Sequence, residues 1–290
     1  MKVLIFGVTG MLGHKLAQVL SSRFEVFGTA RRTAEPDFPW LPATQVISSV
    51  DVTSEVDVVR ALESVRPDVV INASGVIKQL PSAKDVTTAL KVNALFPQFL
   101  AGLSQGRGFR LITVSTDCVF DGVSGMYTEA HTPNALDLYG QSKRWGEVSE
   151  GTSLTLRTSI IGHELGSHHS LVDWFLSNRG GRVKGFTKAI YSGFPTVVFA
   201  DIIGDLIERQ ALLSGIYHVS SEPINKFELL QMIDRQYDSC IEITPSDELV
   251  IDRSLNSDRF RGIAGFSPLT WQEMIEAMHA DFQRNAQFYK

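Results

Sequence analysis

Two residues four apart, Tyr139 and Lys143 in Tyr139-Gly140-Gln141-Ser142-Lys143, form the first pair able to move a proton. On a helix they lie on one face, one turn apart. A phenol with pKa near ~10 stays protonated at neutral pH. A nearby ammonium stabilises the phenolate and lowers that pKa. Tyr139 then becomes a proton donor to a carbonyl oxygen whose carbon receives hydride. The same spacing also describes an ordinary exposed helix pair, so it needs company. That company is Ser115-Thr116-Asp117-Cys118-Val119-Phe120-Asp121-Gly122, which closes an apolar run. A hydroxyl there can donate to a substrate carbonyl and share its developing charge. Thr116 is assigned this role and Ser115 is the alternative. The bland reading is a Ser/Thr turn that caps a strand.

The second chemical signal lies at the start of the chain. Val3–Phe6 is apolar, and Gly7, Gly10 and Gly13 follow at three-residue spacing before a helical pattern. Glycines between a strand and a helix let the backbone turn tightly, approach a pyrophosphate and pack the helix onto the strand. The helix start offers unpaired N–H groups and partial positive charge to phosphate. Gly7, Thr9, Gly10, Met11, Leu12 and Gly13 are the candidate phosphate contacts. A nicotinamide dinucleotide is the implied ligand. NAD readers place an acid after the second strand to accept from the ribose 2′-OH. Here that strand is followed by Arg31 and Arg32, and no acid comes before Glu35. Guanidinium groups match a 2′-phosphate in charge and geometry, so NADP(H) is favoured over NAD(H), against two merely solvated arginines.

The elements that must position these groups follow from periodicity. Strands are expected at Lys2–Gly7, Glu25–Thr29, 45–49, Asp68–Ala73, Phe109–Ser115 and 153–158. Helices are expected at Met11–Ser21, 53–64, 85–104 and 138–149. The strands are apolar nearly throughout, as when both faces are covered. The alternation argues an α/β fold, a Rossmann-type doubly wound parallel sheet. After Gly162 the rhythm breaks: "HELGSHHS" and residues 180–196 read as loops. Helical patterns return in "KFELLQMIDRQY" and after Thr270, a plausible N-cap. The expected division is a dinucleotide-binding domain over residues 1–162, rejoined by about 195–220. Residues 163–194 and 221–290 form a smaller C-terminal substrate lobe.

The chain has 290 residues, 43% hydrophobic and 20% charged, with net charge –5, which favours neither nucleic acid nor an anionic membrane as partner. The apolar opening run is only about five residues, short for a secretory signal, and no stretch reaches the roughly 20 apolar residues of a membrane helix. Cys118 and Cys240 make no ligand cluster. The expected location is cytoplasmic. His168 and His169 are adjacent, without an acid or cysteine at ligand spacing, so no metal is expected.

The G-x-x-G-x-x-G loop with Y-x-x-x-K resembles the extended short-chain dehydrogenase/reductases. "STDCVFDG … YGQSK … WGE", with "LRTSIIG" (156–162) and "SGFPTVVFADII" (192–203), resembles the dTDP-4-dehydrorhamnose reductase family. That resemblance covers nearly the whole chain, least over 163–190 and 220–290. It implies NADPH-dependent reduction of the C4 ketone of a nucleotide-linked 4-keto-6-deoxysugar, in nucleotide-sugar and polysaccharide biosynthesis, with Tyr139, Lys143 and Thr116 catalytic. It implies cofactor contacts at Asp51 and Val52, at Asn72, Ala73, Ser74 and Gly75, at Ser115, and at Asn93 as the lysine's support through water. Asn93 also fits a helix kink before Pro97. Substrate contacts are expected from Cys118, Val119, Phe120, Pro195 and Thr196. Trp174 is a candidate base-stacking residue, and Arg253 and Arg259 are candidates for the diphosphate.

The departures are informative. Cys118 stands where the family usually has Tyr, His14 and Lys15 stand where some members carry a metal-bridging glutamate, and "NASGVIKQ" replaces a small-residue run, with Lys78 read as solvated. These point to another sugar nucleotide, such as a UDP-linked N-acetylated 4-keto sugar. A homodimer is allowed. Two rival readings stay open: an epimerase or dehydratase that retains NAD, and a non-catalytic NADP-binding regulatory subunit like that of methionine adenosyltransferase.

Overall fold

The computed structural model describes residues 1–32, 38–77, 85–209 and 213–289; Glu35 and Lys78 lie outside these. The chain divides into two compact units. One comprises Met1–Ser115, Leu136–Leu156 and Ala200–Ile216; the other comprises Thr116–Ala135, Arg157–Phe199 and Tyr217–Lys290. The boundary expected at residue 162 is corrected by this division, since 116–135 and 157–162 join the second unit. Hydrogen bonding gives the reason: Asp252 N–H donates to Gly122 O at 2.7 Å and Tyr127 N–H to Ser254 O at 2.9 Å.

The first unit carries β1 (Lys2–Phe6), α1 (Met11–Leu20), β2 (Glu25–Thr29), β3 (Val46–Ile47), α2 (Glu55–Val65), β4 (Val69–Asn72), α3 (Val86–Leu90), α4 (Phe96–Arg107), β5 (Arg110–Thr116) and α5 (Leu138–Trp145). With β6 (Leu154–Thr158) and β7 (Gly215–His218) the strands form a seven-stranded sheet, ordered β7-β6-β5-β4-β1-β2-β3. The pairings from β3 through β5 are parallel. The strand order reverses between β1 and β4, where doubly wound sheets bind ligands beyond their strand ends. The expected α/β class therefore forms.

Local causes are plain. Val3–Phe6 are fully buried. Helix α2 starts on the Ser54 hydroxyl, which accepts from Asp57 N–H, and buries Val58, Ala61, Leu62 and Val65, the i, i+3, i+4, i+7 face. That face packs with Leu4, Phe6, Val70, Leu111 and Leu100 in one core. Each such side chain contributes about 1.5–3 kcal/mol by burial.

The single helix expected over 85–104 is in fact α3, a π-helical turn at Lys91–Leu95, and α4. Pro97 has no N–H to return to the Asn93 carbonyl, and Phe96 N–H reaches back to Lys91 O, so the ladder widens. Gly146 fits against that carbonyl: a Cβ there would lie 1.9 Å from Asn93 O. Helix α5 accordingly ends at Trp145 and not at residue 149.

The second unit corrects the loop reading of 180–196. Arg182–Phe186 pairs in parallel with Glu242–Ser246. Ala189–Tyr191 is the central strand between Ile224–Asn225 and Ile251–Asp252. Helices Lys226–Tyr237 and Trp271–Asn285 form as expected, the latter with a Thr270–Glu273 capping box. Among the described residues no helix is long and apolar enough to cross a membrane.

Candidate active site

The three glycines of the first loop have different reasons. Gly7 has φ +86°, and a Cβ on it would lie 2.6 Å from Ser74 Oγ. A Cβ on Gly13 would lie 2.0 Å from Gly7 O. Both are therefore required by the chain's own packing. Gly10 is not: its φ is –77°, and its Cβ would come no nearer than 3.4 Å to Gly7 O. Thr9 and Gly10 are exposed. Helix α1 has no side-chain cap and no acid in its first turn. The loop thus presents a bare Cα and uncapped N–H groups outward, a cradle that suits an oxyanion. Met11 is half-buried and Leu12 buried.

Arg31 and Arg32 are exposed after β2. Asp51 folds back on its own turn, accepting from Thr53 N–H and Thr53 Oγ1, both at 2.8 Å. The Thr53 N–H bond holds its carboxyl below the usual range, and the Arg31 charge adds to this. Val52 packs at the edge of the core. At the end of β4, Asn72 donates to Thr113 Oγ1 at 3.3 Å and accepts from Ser74 N–H at 3.1 Å. Ala73 N–H donates to Phe6 O at 3.1 Å, and Gly75 is exposed.

Asn93 joins two of these pieces. Its Oδ1 accepts from Val76 N–H at 2.9 Å, and its Nδ2 donates to Val76 O at 3.1 Å and to Ser142 Oγ at 3.2 Å. Ser142 in turn donates to Tyr139 O at 2.9 Å. The loop after β4 and helix α5 are thereby clamped through one amide.

Helix α5 begins on Asp137, whose carboxylate accepts from Gly140 N–H at 2.9 Å. Tyr139 is half-buried on its first turn. One turn on, Lys143 Nζ donates to Val114 O of β5 at 2.7 Å. Burial pushes the Lys143 ammonium down to about 8, with Glu147 opposing. Ser115, next on β5, donates to Glu147 Oε1 at 2.7 Å. Glu147 had no role in the sequence reading. Its signal was its place one helical turn after Lys143, obscured because α5 stops before it.

In the second unit, Thr116 Oγ1 accepts from Cys118 N–H and donates to Asp117 Oδ1, each at 3.1 Å. The strand-capping turn weighed above is therefore present. Each hydroxyl gives its proton to a carboxylate, Ser115 to Glu147 at 2.7 Å and Thr116 to Asp117 at 3.1 Å, the bond to Thr116's partner being the longer. Asp117 is buried, which raises its pKa, and Arg253 opposes that shift. The Cys118 thiol is pushed up to about 12 by burial, and its Sγ accepts from Arg253 Nη1 at 3.5 Å. Arg253 Nε donates to Phe120 O at 3.0 Å.

Several of the expected substrate contacts lie within the packing of the second unit. Val119 and Phe120 are fully buried with Tyr127 and Leu255, because these apolar side chains turn inward after the short helical turn at 117–119; Phe120 stacks on Tyr127 at 4.2 Å. Pro195 pairs with Ile161. Thr196 is 1% exposed and fills the space where a Cβ on Gly162 would lie. Trp174 is 41% exposed on the helix Leu171–Leu176. Arg259 stands over the Tyr217 ring at 4.2 Å. His168 and His169 are exposed. Among the described residues no group of three or more His, Cys, Asp or Glu could hold a metal.

A sheet of this order, a glycine loop leaving its first strand and a Tyr–Lys helix against β5 define the architecture of the extended short-chain dehydrogenase/reductases. More narrowly, the chain belongs to the RmlD substrate binding domain family, which it matches over residues 1–284. It is 31% identical over 233 residues to a dTDP-4-dehydrorhamnose reductase of Aggregatibacter actinomycetemcomitans, covering 77% of this chain and 74% of that one. It is 28% identical over 246 residues to methionine adenosyltransferase 2 subunit beta of Xenopus tropicalis, covering 79% and 70%. Its fold matches the dTDP-4-dehydrorhamnose reductase of Bacillus anthracis solved with NADP. That match has a TM-score of 0.80 at 22% identity, over 97% of this chain and 99% of that one.

Proposed function

We propose that this chain is a cytoplasmic, NADPH-dependent reductase of the C4 ketone of a nucleotide-linked 4-keto-6-deoxysugar, as the names of its reductase relatives suggest. The observation that carries the reading is Lys143 held by the Val114 carbonyl at 2.7 Å, one turn from Tyr139. The bare Gly10 cradle fits a dinucleotide phosphate. Gly7, Thr9, Gly10, Met11, Leu12 and Gly13 would hold it, with Arg31 and Arg32 favouring the 2′-phosphate form. Bound, that group supplies the hydride.

The chain's own residues supply the rest. Tyr139 donates the proton to the carbonyl oxygen as negative charge develops there. Lys143, charged below about pH 8, favours the phenolate that remains. Thr116 follows Ser115 on β5 and offers the hydroxyl that orients the carbonyl. Asn93 and Ser142 keep the start of α5 in register with the loop after β4.

The test is NADPH oxidation by purified protein against a panel of dTDP-, UDP- and GDP-linked 4-keto sugars. Turnover that Tyr139→Phe removes supports the reading. Coenzyme binding without turnover of any of them favours the regulatory-subunit reading, which the similarity to methionine adenosyltransferase 2 subunit beta keeps in play.

A further inference from the structure

The reductase reading leaves Glu147 without a task, although the chain is folded tightly around it. Helix α5 ends at Trp145, and Gly146 follows because a Cβ there would lie 1.9 Å from Asn93 O. The next turn tightens, with Glu147 N–H donating to Arg144 O at 3.1 Å. Gln98 of α4 then pins the main chain, its Nε2 donating to Trp145 O at 2.9 Å and to Glu147 O at 3.1 Å. One residue on, Val148 N–H donates to Thr155 Oγ1 of β6 at 3.1 Å, and that hydroxyl donates to Val148 O at 2.7 Å. Side chains of two elements thus fix the backbone on both sides of a half-buried acid.

The acid reaches β5. Ser115 Oγ donates to Glu147 Oε1 at 2.7 Å, and Lys143 Nζ donates to Val114 O at 2.7 Å. Carboxylate and ammonium are therefore anchored on consecutive residues of one strand, and they leave the α5 segment four residues apart, about one helical turn. Both routes make them neighbours. A glutamine would accept the Ser115 proton with the same reach, so that bond does not call for a charge. A cation drawn out of water beside it does. The other surroundings of the lysine supply no such charge. Val114 offers a neutral carbonyl. Helix α3 and the widened turn, which pack on α5, bring Asp85 and Lys91, both exposed. On α5 itself Tyr139 is half-buried and Arg144 exposed. Among the described residues Glu147 is the one charge that bears on Lys143, and it works against the effect of burial.

We propose that Glu147 is a positioning residue of the reduction. Its carboxylate holds the Ser115 hydroxyl and stands as the counter-charge of Lys143, so that the end of β5 and the ammonium keep one geometry while the lysine stays cationic. The role in catalysis rests on the reductase reading above; the pairing itself does not. Lys143 favours the phenolate that Tyr139 leaves only while it carries charge, and Glu147 extends the pH range over which it does.

The test follows the Lys143 ammonium by NMR, on the full chain labelled at the lysine Cε and with Lys143→Arg to assign the signal, alongside the pH profile of kcat/KM. Glu147→Gln keeps the acceptor for Ser115 and removes the charge. Its Lys143 midpoint should fall by about one pH unit. The alkaline limb of kcat/KM should fall with it, costing roughly fivefold at about pH 8 and little at about pH 6. A merely structural acid would lower the rate alike at every pH. Lys143→Met reads the coupling from the other side, since linkage is reciprocal: Glu147 should then titrate about one unit higher. That measurement decides the matter if Glu147→Gln does not fold, and the melting temperature of each variant reports its folding. Unchanged midpoints in the folded variants overturn the pairing and leave the reductase reading standing. A midpoint that falls while the limb stays overturns the role in the reduction. A midpoint that falls in a protein whose wild type reduces none of the 4-keto nucleotide sugars keeps the pairing and removes the reductase reading.

Discussion

The exits of β1 and β5 are built in opposite ways. At the first, Gly7, Gly10 and Gly13 strip the turn of side chains, and whatever binds there meets backbone. At the second, Ser115, Thr116, Asp117 and Cys118 crowd the turn with hydroxyl, carboxyl and thiol groups, each bonded to a neighbour. One exit is shaped by atoms removed and the other by atoms supplied. Adding a methyl should therefore damage the first, and deleting a polar atom should damage the second.

The largest effect expected is on the side-chain exit and its partner helix. Tyr139→Phe should lower kcat by roughly a hundredfold to ten-thousandfold, the usual worth of a general acid, with the melting temperature unchanged. A Phe variant at full rate would end the proton-donor assignment. Next is the glycine exit. Gly13→Ala forces a Cβ to 2.0 Å from Gly7 O and should cost about 3 kcal/mol of stability, at the upper end for overpacking, read by urea denaturation. Gly10→Ala should cost less than about 0.5 kcal/mol yet weaken coenzyme binding at least tenfold. If the two alanine variants lose stability alike, the distinction between packing glycines and the ligand-facing one is lost.

A third outcome tests the charge behind Tyr139. Lys143 is protonated below its folded value of about 8 and loses its charge as pH rises through it. The rate constant kcat/KM for reduction should therefore fall above about pH 8. Lys143→Arg, charged throughout this range, should flatten that alkaline limb even if the rate itself drops. The smallest effect belongs to Arg259→Ala, which removes an exposed cation–π contact worth about 0.5–1 kcal/mol, measured as a small fall in melting temperature without loss of kcat.

Legibility followed the same division. Strands β1, β2, β4 and β5 and their helices could be read because each carries its own apolar period and meets a neighbour made soon after it. The glycine exit could be read because absent side chains are visible in the sequence itself. The supplied exit could be read only halfway. Ser115 and Thr116 announce themselves, but Glu147 and Arg253, which hold Ser115 and Cys118, arrive from distant segments. Arg182–Phe186 was missed for the same reason: it is a strand only because Glu242–Ser246 lies beside it. Val119 and Phe120 stand at motif positions, yet their apolar side chains are buried with Tyr127 and Leu255, a placement that motif spacing does not reveal.

The widened turn at Lys91–Leu95 has one more consequence. Each helical residue advances the azimuth by about 100°, so one surplus residue swings everything after it around the axis by that amount. The face that α4 offers to the sheet, from Phe96 to Leu100 and Ser104, is thus phased independently of the face that α3 offers. Excising a single residue between 91 and 95 would regularise the coil and still ruin it, because either Asn93 or the Phe96 edge would have to point the wrong way. Tolerance of substitution there and intolerance of deletion are two sides of the same arithmetic.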